Sequence, residues 1–429
     1  MAKRRTTEET RRRSRARRSV AELRRPQNPG RPAIQRPRRT APPITRGQTR
    51  AITKPNCVRQ KTCTPVRIFF GTNRARDPSA EAILRRASFG SRRREAENIA
   101  KELTLGRAIV TVPRAIKRQA GGIARPGFLE GFWDRYVQGV TPEGDPSRHF
   151  VIVRNGFELY TTHAAFLQAV AAHMANAGKF RDHAFVFVHG YNTKFDHALF
   201  RTAQIAYDLG EPSDATGVFT PFGTPFLYSW PSAGGELYYP YDQESARFAV
   251  AHLKIFLDLI IAQSGAKKIH LIAHSMGNVP LLNALAEVAA APRGGARIDQ
   301  VILAAPDMDA AEFRRLASKV RPIAKGLTMY SSASDAAMDV SRTLHNGLPR
   351  AGDVITGKPT IAGGVHTIDI SEITTCYFCT GHSEYVEQPT LLNDISALLR
   401  IGLRLPHERN KTLRLESLDG KRAFWRYRP

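Results

Sequence analysis

The sequence predicts an α/β fold in which a mostly parallel central sheet is covered by helices on both faces. From residue 162 onward, segments with apolar residues at helical spacing alternate with short apolar runs. The run at 184–188 is apolar throughout, as expected for a strand that is buried on both faces. A second run, 269–273, passes through a tight turn into a helix-like segment at 278–290. Such regular alternation is typical of a parallel sheet with crossover helices.

Each predicted element follows from its local pattern. Runs rich in β-branched and aromatic residues predict strands, at 65–74, 107–113, 150–154, 184–188, 225–232, 269–273, 300–307, 326–335 and 364–370. Apolar residues at helical spacing predict helices, at 162–177, 195–209, 244–262, 278–290, 310–320 and 390–401. Gly402 is placed to end the last helix. Residues 88–103 are interpreted as charged helix or loop.

The composition divides the chain into a folded domain and basic flanks. Residues 65–402 form the predicted domain, and residues 403–429 form a basic extension without a clear pattern. The net charge is +26, and about half of it lies in the first fifty residues. An arginine-dense block of this kind buries too little apolar surface to offset its ordering entropy, so residues 1–60 are predicted to be a disordered tail. The tail either docks on nucleic acid or an anionic membrane, or is solvated without a dedicated partner.

Two further patterns bear on cellular location. No apolar run reaches about eighteen residues, which argues against a membrane-spanning helix. The basic N-terminus lacks the apolar centre of a signal peptide. We therefore expect a cytoplasmic location.

The four cysteines form two close pairs, Cys57 with Cys63 and Cys376 with Cys379. The second spacing resembles a metal knuckle, whereas the first is too wide for one. A zinc site, two disulfides and free thiols all remain open, and free or loosely paired thiols are the preferred interpretation.

Ser275 is the candidate nucleophile because it lies between an apolar strand and a helix. In a nucleophile elbow, a sharp turn presents the serine hydroxyl above the sheet edge, and small residues two before and two after it let the backbone bend. Ala273 and Gly277 are those small residues, with alanine in place of the usual first glycine. The alternative is that Ser275 is an ordinary helix N-cap.

The loop after strand 184–188 is the candidate oxyanion hole. It begins with His189 and Gly190, and such a loop can aim backbone N–H groups at a developing oxyanion. We expect the Tyr191 N–H, with Asn192 as a second candidate, to act together with the N–H of Met276. The alternative is an ordinary glycine turn with His189 packed against the sheet.

A serine nucleophile needs a base and an acid, and the chain supplies both downstream in the order Ser, Asp, His. Asp335 lies just past the strand at 326–335 and is the predicted acid. His382 follows the last strand and is the predicted base, preferred over His345 and His366. Asp307 and Asp339 compete for the acid role.

Five motifs together resemble the α/β-hydrolases, and in particular a little-characterised bacterial branch of the esterase/lipase superfamily. They are FFGTNR (69–74), FVHGYN (187–192), YSWPS (228–232), AHSMG (273–277) and GHSEY (381–385). The resemblance covers residues 65–401. It implies a sheet of about eight mostly parallel strands and hydrolysis of a small-molecule or lipid ester through a serine triad, without a metal or organic cofactor. Members of that branch often begin with an export signal or lipid anchor, and the arginine-rich tail departs from this pattern.

Two other functions remain open. A catalytically idle protein of this fold would serve as a binding module or scaffold, with its basic tail attached to nucleic acid or an anionic membrane. An acyltransferase would share the triad and differ only in the acceptor of the acyl group.

Overall fold

A computed structural model of the chain describes residues 56–77, 89–114, 145–212, 219–291, 298–333, 348–372, 389–420 and 422–428. Residues 1–55 of the predicted tail, together with Asp335, Asp339, His345, His382, Cys376 and Cys379, lie outside these residues. Residues 56–59, expected to belong to the disordered tail, form a short helix. The strands are β1 (Cys63–Thr72), β2 (Arg74–Arg76), β3 (Phe89–Arg93), β4 (Thr104–Pro113), β5 (Val151–Ile152), β6 (Glu158–Tyr160), β7 (His183–Val188), β8 (Glu211–Pro212), β9 (Phe219–Thr220), β10 (Thr224–Ser229), β11 (Lys268–His274), β12 (Ile298–Ala304), β13 (Ala324–Ser331), β14 (Val354–Ile355), β15 (Lys358–Pro359), β16 (Val365–Asp369), β17 (Leu413–Ser417) and β18 (Ala423–Tyr427).

The helices are α1 (Asn56–Arg59), α2 (Ile99–Glu102), α3 (His163–Met174), α4 (Phe195–Asp208), α5 (Tyr239–Phe248), α6 (Val250–Gln263), α7 (Asn278–Ala290), α8 (Ala310–Val320), α9 (Pro389–Ser396) and α10 (Pro406–Arg409). Short 3₁₀ turns occupy Arg154–Gly156, Gly178–Phe180, Glu236–Tyr238, Ser275–Gly277 and Arg321–Ile323, and a π-helical turn, Ala397–Ile401, continues α9. No helix within the described ranges is long and apolar enough to cross a bilayer.

The central sheet has twelve strands in the described part of the chain, in the order β17-β18-β16-β13-β12-β11-β7-β10-β1-β4-β5, with β6 also paired to β4. The strands from β18 to β1 run parallel, and antiparallel strands lie at both edges. The predicted fold class is therefore confirmed. Because β7 and β11 are neighbouring parallel strands, the loops that follow them meet at the same edge of the sheet.

Helices cover both faces of this sheet, and strand β7 shows why. Val186 and Val188 pack in one apolar cluster with residues of α3, α6, α7 and α8. Phe185 and Phe187 point to the other face and pack with residues of α4 and α9. Full burial of side chains of this size stabilises the fold by about 1.5–3 kcal/mol each. The continuous apolar run in the sequence thus reflects two buried faces.

Two predicted helical segments differ from the structure. The helix expected at 244–262 begins earlier, at Tyr239, with Pro240 in its first turn, and it is divided into α5 and α6 at Ala249. Residues 88–103, expected to be helix or loop, form strand β3 and the short helix α2.

Gly71, expected in a turn, lies inside β1 instead. A Cβ at this position would lie 2.6 Å from the ring of Phe256, so a glycine is required here for close packing.

The segment after residue 402, for which the sequence shows no pattern, forms the hairpin of β17 and β18. Strand β18 pairs in parallel with β16, with Ile368 opposite Trp425. Gly402 ends the preceding helix in a left-handed conformation, with φ of +83°. The central sheet therefore continues beyond the predicted end of the domain.

Cys57 and Cys63 form a disulfide, with Cα atoms 5.3 Å apart. The preferred expectation of free thiols is wrong for this pair. Six positions separate the two residues, and the disulfide closes the short turn between α1 and β1.

Candidate active site

The candidate nucleophile occupies a strained turn at the carboxyl end of β11. The backbone of Ser275 is left-handed, with φ of +50°, a conformation uncommon for a residue with a side chain. The turn Ser275–Gly277 connects β11 directly to α7. The side chain of Asn278 secures the turn by donating a hydrogen bond of 2.9 Å to the carbonyl oxygen of Ser275. Strain of this kind persists where the surrounding structure enforces it, and it clusters at functional sites.

Ser275 is not a helix cap. The N-cap position of α7 is Gly277, and no side chain caps this helix by a hydrogen bond. The interpretation of Ser275 as an ordinary N-cap is therefore wrong. The structure instead has the strand, turn and helix that a nucleophile elbow requires.

Two glycines allow the loop after β7 to contact the elbow. A Cβ at Gly277 would lie 2.3 Å from the carbonyl oxygen of His189, and a Cβ at Gly190 would lie 3.0 Å from the Cβ of Ser275. A side chain at Gly277 would force the backbone of the β7 loop to move, and one at Gly190 would crowd the turn at Ser275. On the strand side, Ala273 is fully buried and fits without the usual glycine. The small residues singled out in the sequence, Ala273, Gly277 and Gly190, thus all serve the close packing of the elbow.

Hydrogen bonding distinguishes the backbone N–H groups of Tyr191 and Asn192, the two loop candidates for the oxyanion hole. Asn192 is left-handed, with φ of +54°, and its N–H donates to Oδ2 of Asp242 at 3.1 Å. That N–H is therefore already engaged. Of the two loop donors expected from the sequence, Tyr191 is the better candidate.

Asp242 is a buried anchor for this loop. Besides the N–H of Asn192, its carboxylate accepts hydrogen bonds from Oγ of Ser232 at 2.5 Å and from the N–H of Ala233 at 2.6 Å. Burial raises the pKa of Asp242, and these hydrogen bonds act in the opposite direction. One carboxylate thus connects α5, the loop after β7 and the loop after β10.

Arg74 holds the same loops from another side. Its fully buried guanidinium donates to Oγ of Ser229 at 2.9 Å and to the carbonyl oxygens of Thr193 at 2.7 Å, Gly90 at 2.9 Å and Ser232 at 3.0 Å. Burial lowers the pKa of Arg74 from 12.5 to about 10, so the side chain is still charged at neutral pH. No role for Arg74 or Asp242 was predicted from the sequence. For Arg74, the only signal was its position at the end of FFGTNR, one of the motifs that carry the resemblance.

His189 has a structural role. Its ring stacks on Trp230 with centroids 5.0 Å apart, Nδ1 lies 2.8 Å from the carbonyl oxygen of Gly190, and Nε2 lies 3.1 Å from Oγ of Ser229. Burial and the neighbouring Arg74 hold its pKa well below 6.5. The sequence left open that His189 packs against the sheet, and this prediction is correct for the side chain.

His274, directly before the nucleophile, is also unsuited to be the base. Burial lowers its pKa to about 3, with a smaller contribution from Arg201. A general base is most effective when its pKa lies near the operating pH. His366 lies inside strand β16. A catalytic base was expected in a loop after the end of a strand, so His366 does not fit that role.

Asp307 lies beyond the carboxyl end of β12, the strand next to the elbow strand β11. It forms a buried ion pair with Arg350, at 2.9 Å from Nε to Oδ1, and accepts a hydrogen bond of 2.8 Å from the hydroxyl of Tyr239. The ring of Tyr239 packs edge-on against Tyr191, with centroids 5.2 Å apart. Asp307 is therefore linked through Tyr239 to the candidate oxyanion loop.

The predicted partners of Ser275 belong to loops outside the described residues. Asp335 follows β13, which ends at Ser331, and β13 lies one strand beyond β12 in the sheet. His382 follows β16, the next strand. Both roles stay predictions. Within the described ranges, no group of three His, Cys, Asp or Glu side chains is arranged to hold a metal ion.

The family model described as "Alpha/beta hydrolase of unknown function (DUF900)" matches residues 163–400. No curated protein sequence matches the chain. Among solved structures, the crystal structure of carboxylesterase CesB (YbfK) from Bacillus subtilis is similar at 10% sequence identity and a TM-score of 0.27, covering 56% of this chain and 99% of that one. A similarity this distant carries no argument about the site.

Proposed function

This chain belongs to a family of α/β-hydrolases of unknown function, and on that premise we propose that it is a serine hydrolase acting on a carboxylic ester or thioester. The observation that supports the proposal is the left-handed Ser275 between β11 and α7, packed against the glycine loop that follows β7. A turn of this kind raises the serine hydroxyl at the carboxyl edge of the sheet, where α/β folds bind their ligands.

In the proposed mechanism, His382 accepts the hydroxyl proton of Ser275 as the oxygen attacks the substrate carbonyl. Asp335 orients the imidazole and stabilises its protonated form. The N–H groups of Met276 and Tyr191 donate to the tetrahedral oxyanion. His382 returns the proton to the leaving alcohol or thiol and then activates a water molecule, which releases the acyl group from Ser275. The reaction requires no metal or organic cofactor.

The segment before Tyr239 carries exposed apolar side chains that suit an apolar acyl group. Leu237 is 93% exposed and Tyr238 is 56% exposed, and both precede the buried Tyr239 that contacts Tyr191. Large exposed apolar side chains next in sequence to a residue that contacts the candidate oxyanion loop favour a substrate with an apolar portion.

The nucleophile is tested by covalent labelling and by turnover. We expect a fluorophosphonate probe to label the wild-type protein at Ser275, as mapped by mass spectrometry, and Ser275→Ala to abolish both labelling and hydrolysis of p-nitrophenyl esters. Loss of a triad member costs several orders of magnitude in kcat. The matched control is Ser318→Ala, an exposed serine on α8. Unchanged hydrolysis by Ser275→Ala contradicts the proposal.

A parallel pair of variants tests the acid. If Asp335 orients the base, Asp335→Asn lowers kcat by about 10⁴-fold, because the imidazole then adopts the wrong tautomer. Asp307→Asn serves as the comparison and is expected to act mainly on stability, through the ion pair with Arg350. A large loss of kcat in Asp307→Asn, with kcat retained in Asp335→Asn, would assign the acid role to Asp307.

The same experiments separate the other two functions. Labelling of Ser275 without hydrolysis, together with ester formation when an alcohol is supplied, would indicate an acyltransferase. Absence of labelling, together with salt-sensitive binding to DNA or to anionic vesicles, would indicate an idle scaffold.

The cytoplasmic location expected from the sequence stays a prediction. The Cys57–Cys63 disulfide favours an oxidising compartment, because thiols are kept reduced in the cytosol of most organisms. Fractionation of cells that produce the protein, with the thiols blocked at lysis, tests both expectations.

A further inference from the structure

A cavity lies at the edge of the sheet opposite the candidate active site. Its volume is about 660 Å³, in the range of small-molecule sites. The amino-terminal residues of β1 and β10 and the end of α3 line it. Because β1, β10, β7 and β11 run parallel, this edge is the one from which β11 begins, and Ser275 follows the other end of β11. The cavity is therefore separate from the site at Ser275.

The charged side chains that line this cavity are all cationic. Lys61, Arg67 and Arg114 contribute to its wall, and no carboxylate does so within the described residues. Arg114 is fixed in place, since its Nε donates to Oγ1 of Thr64 at 2.7 Å. Cations gathered in a concave surface produce a potential that favours an anion.

Arg67 carries a buried donor that is unused among the described residues. The side chain is half-buried, and its Nε has no hydrogen-bond partner among the described residues. The carboxylate that acts on it electrostatically, Glu158, is already paired with Arg107 at 2.6 Å. Burial lowers the pKa of Arg67, and the neighbouring Arg107 lowers it further. A buried donor that lacks a partner is costly, and a bound anion would supply one.

The rest of the wall is largely apolar. Val58, Ile109, Phe219 and Pro225 are among the lining residues. His173 also faces the cavity, and burial lowers its pKa to about 4, so that the ring is neutral at pH 7 and packs against Phe69 with centroids 5.7 Å apart. A wholly polar anion would leave these apolar surfaces in water.

One wall of the cavity is held by the disulfide. Val58 and Lys61 belong to the turn that Cys57 and Cys63 close, and the carbonyl oxygen of Thr62 accepts a hydrogen bond of 2.8 Å from the N–H of Arg114. The turn and the end of β4 are thus joined, and they carry two of the three cations, Lys61 and Arg114.

We propose that this cavity binds an anion with an apolar chain, its carboxylate or phosphate held by Arg67 and Arg114 and its chain lying against Ile109, Phe219 and Pro225. Guanidinium groups bind both kinds of head group through charge-assisted hydrogen bonds. The proposal does not depend on hydrolysis at Ser275, since binding is measured without turnover.

Isothermal titration of the full chain with dodecanoate and with dodecyl phosphate, each below its critical micelle concentration, tests the proposal and separates the two head groups. We expect saturable binding of at least one of them. Dodecanol and dodecyltrimethylammonium are the neutral and cationic controls, and each should bind at least tenfold more weakly. Comparable binding of dodecanol, or binding of neither anion, overturns the proposal.

Two variants locate the binding. Arg67→Met should weaken binding of the anion at least tenfold, whereas Arg315→Met, an exposed arginine on α8, should leave it unchanged. Circular dichroism establishes that each variant is folded, and Arg114→Met provides the second measurement if Arg67→Met fails to fold. Unchanged affinity in a folded Arg67→Met or Arg114→Met variant overturns the assignment. Ser275→Ala should bind the anion as the wild type does, which separates this cavity from binding of a product at the nucleophile.

Discussion

Replacement of Arg74 by methionine removes the buried cation that holds the candidate oxyanion loop. The change keeps a long apolar side chain and deletes four hydrogen bonds, to Ser229, Gly90, Ser232 and Thr193. The variant therefore tests whether the candidate oxyanion loop depends on a buried residue that takes no direct part in the reaction.

The effect on stability follows from two opposing contributions. Each hydrogen bond from a charged donor is worth about 1.5 kcal/mol, so the four together contribute about 6 kcal/mol. Burial of the charge, which lowers the pKa from 12.5 to about 10, costs about 3 kcal/mol, and methionine avoids that cost. We expect Arg74→Met to lower the free energy of unfolding by about 3 kcal/mol, measured by urea denaturation.

The effect on activity is larger than the loss of stability implies. Arg74 holds the carbonyl of Thr193 and contacts the ring of His189, and these two residues flank Tyr191. A loop shift of about 1 Å at an oxyanion donor lowers kcat by about 100-fold. The loss should appear in kcat more than in KM, because the donor acts chiefly on the transition state. Ester hydrolysis is measured at a temperature at which the variant is fully folded.

Asp299→Asn is the matched control. This buried carboxylate lies at the opposite edge of the same sheet and pairs with Lys325 at 2.9 Å. It should lose stability while kcat stays within about twofold of the wild type, because only a displaced donor affects transition-state binding. A folded Arg74→Met protein with wild-type kcat would refute the role assigned to Arg74.

Three other changes have defined outcomes. Gly277→Ala places a Cβ 2.3 Å from a backbone carbonyl oxygen of the neighbouring loop, so we expect a reduced melting temperature and loss of ester hydrolysis, while Gly363→Ala, with open space around it, leaves both unchanged. Replacing both Cys57 and Cys63 with serine should lower the free energy of unfolding by about 2 kcal/mol, because a closed loop of this length restricts the unfolded chain; equal urea midpoints would contradict this. Burial holds the pKa of His274 near 3 instead of 6.5, so the unfolded chain binds more protons as pH falls through this range, and stability is lost. Between pH 7 and pH 5 the loss from this side chain is about 2 kcal/mol, and His274→Gln should reduce the pH dependence of the urea midpoint accordingly.

The sequence predicts the regular elements well where one physical signal dominates. Helices α7 and α8 match their predicted bounds to the residue, since each has a sharp start and strong apolar spacing. The fold class follows from the alternation of these helices with apolar strands. The long helix is less well predicted, because the tyrosine-rich segment before Glu244 has no clear apolar spacing and its first turn contains Pro240.

Hairpin β17–β18 illustrates the limit of local patterns. Its strands, LRLES and AFWRY, have no sustained apolar alternation, and only pairing with the distant β16 makes them part of the sheet. The disulfide is a similar case, because the spacing of Cys57 and Cys63 permits several chemistries and only the fold brings the two sulfur atoms together.

For the candidate site, the turn geometry is predictable and the supporting network is not. Ser275 and Gly277 are recognisable because their spacing along the chain is itself the signal. Arg74 and Asp242 lie far from them in sequence, and their hydrogen bonds depend on loops from three different strands. Preference for Tyr191 over Asn192 likewise required the observed contact with Asp242.

The position of β18 has a consequence for synthesis on the ribosome. Strand β16 emerges first, and its neighbour on one side, β18, follows only after α9, α10 and β17. During that interval Ile368 and Asp369 of β16 lack the strand that they pair with in the folded protein, and an unpaired strand edge can pair with other nascent chains. Truncation before Ala423 would make this exposure permanent, and such a protein should aggregate even though Ser275 and its surroundings are intact.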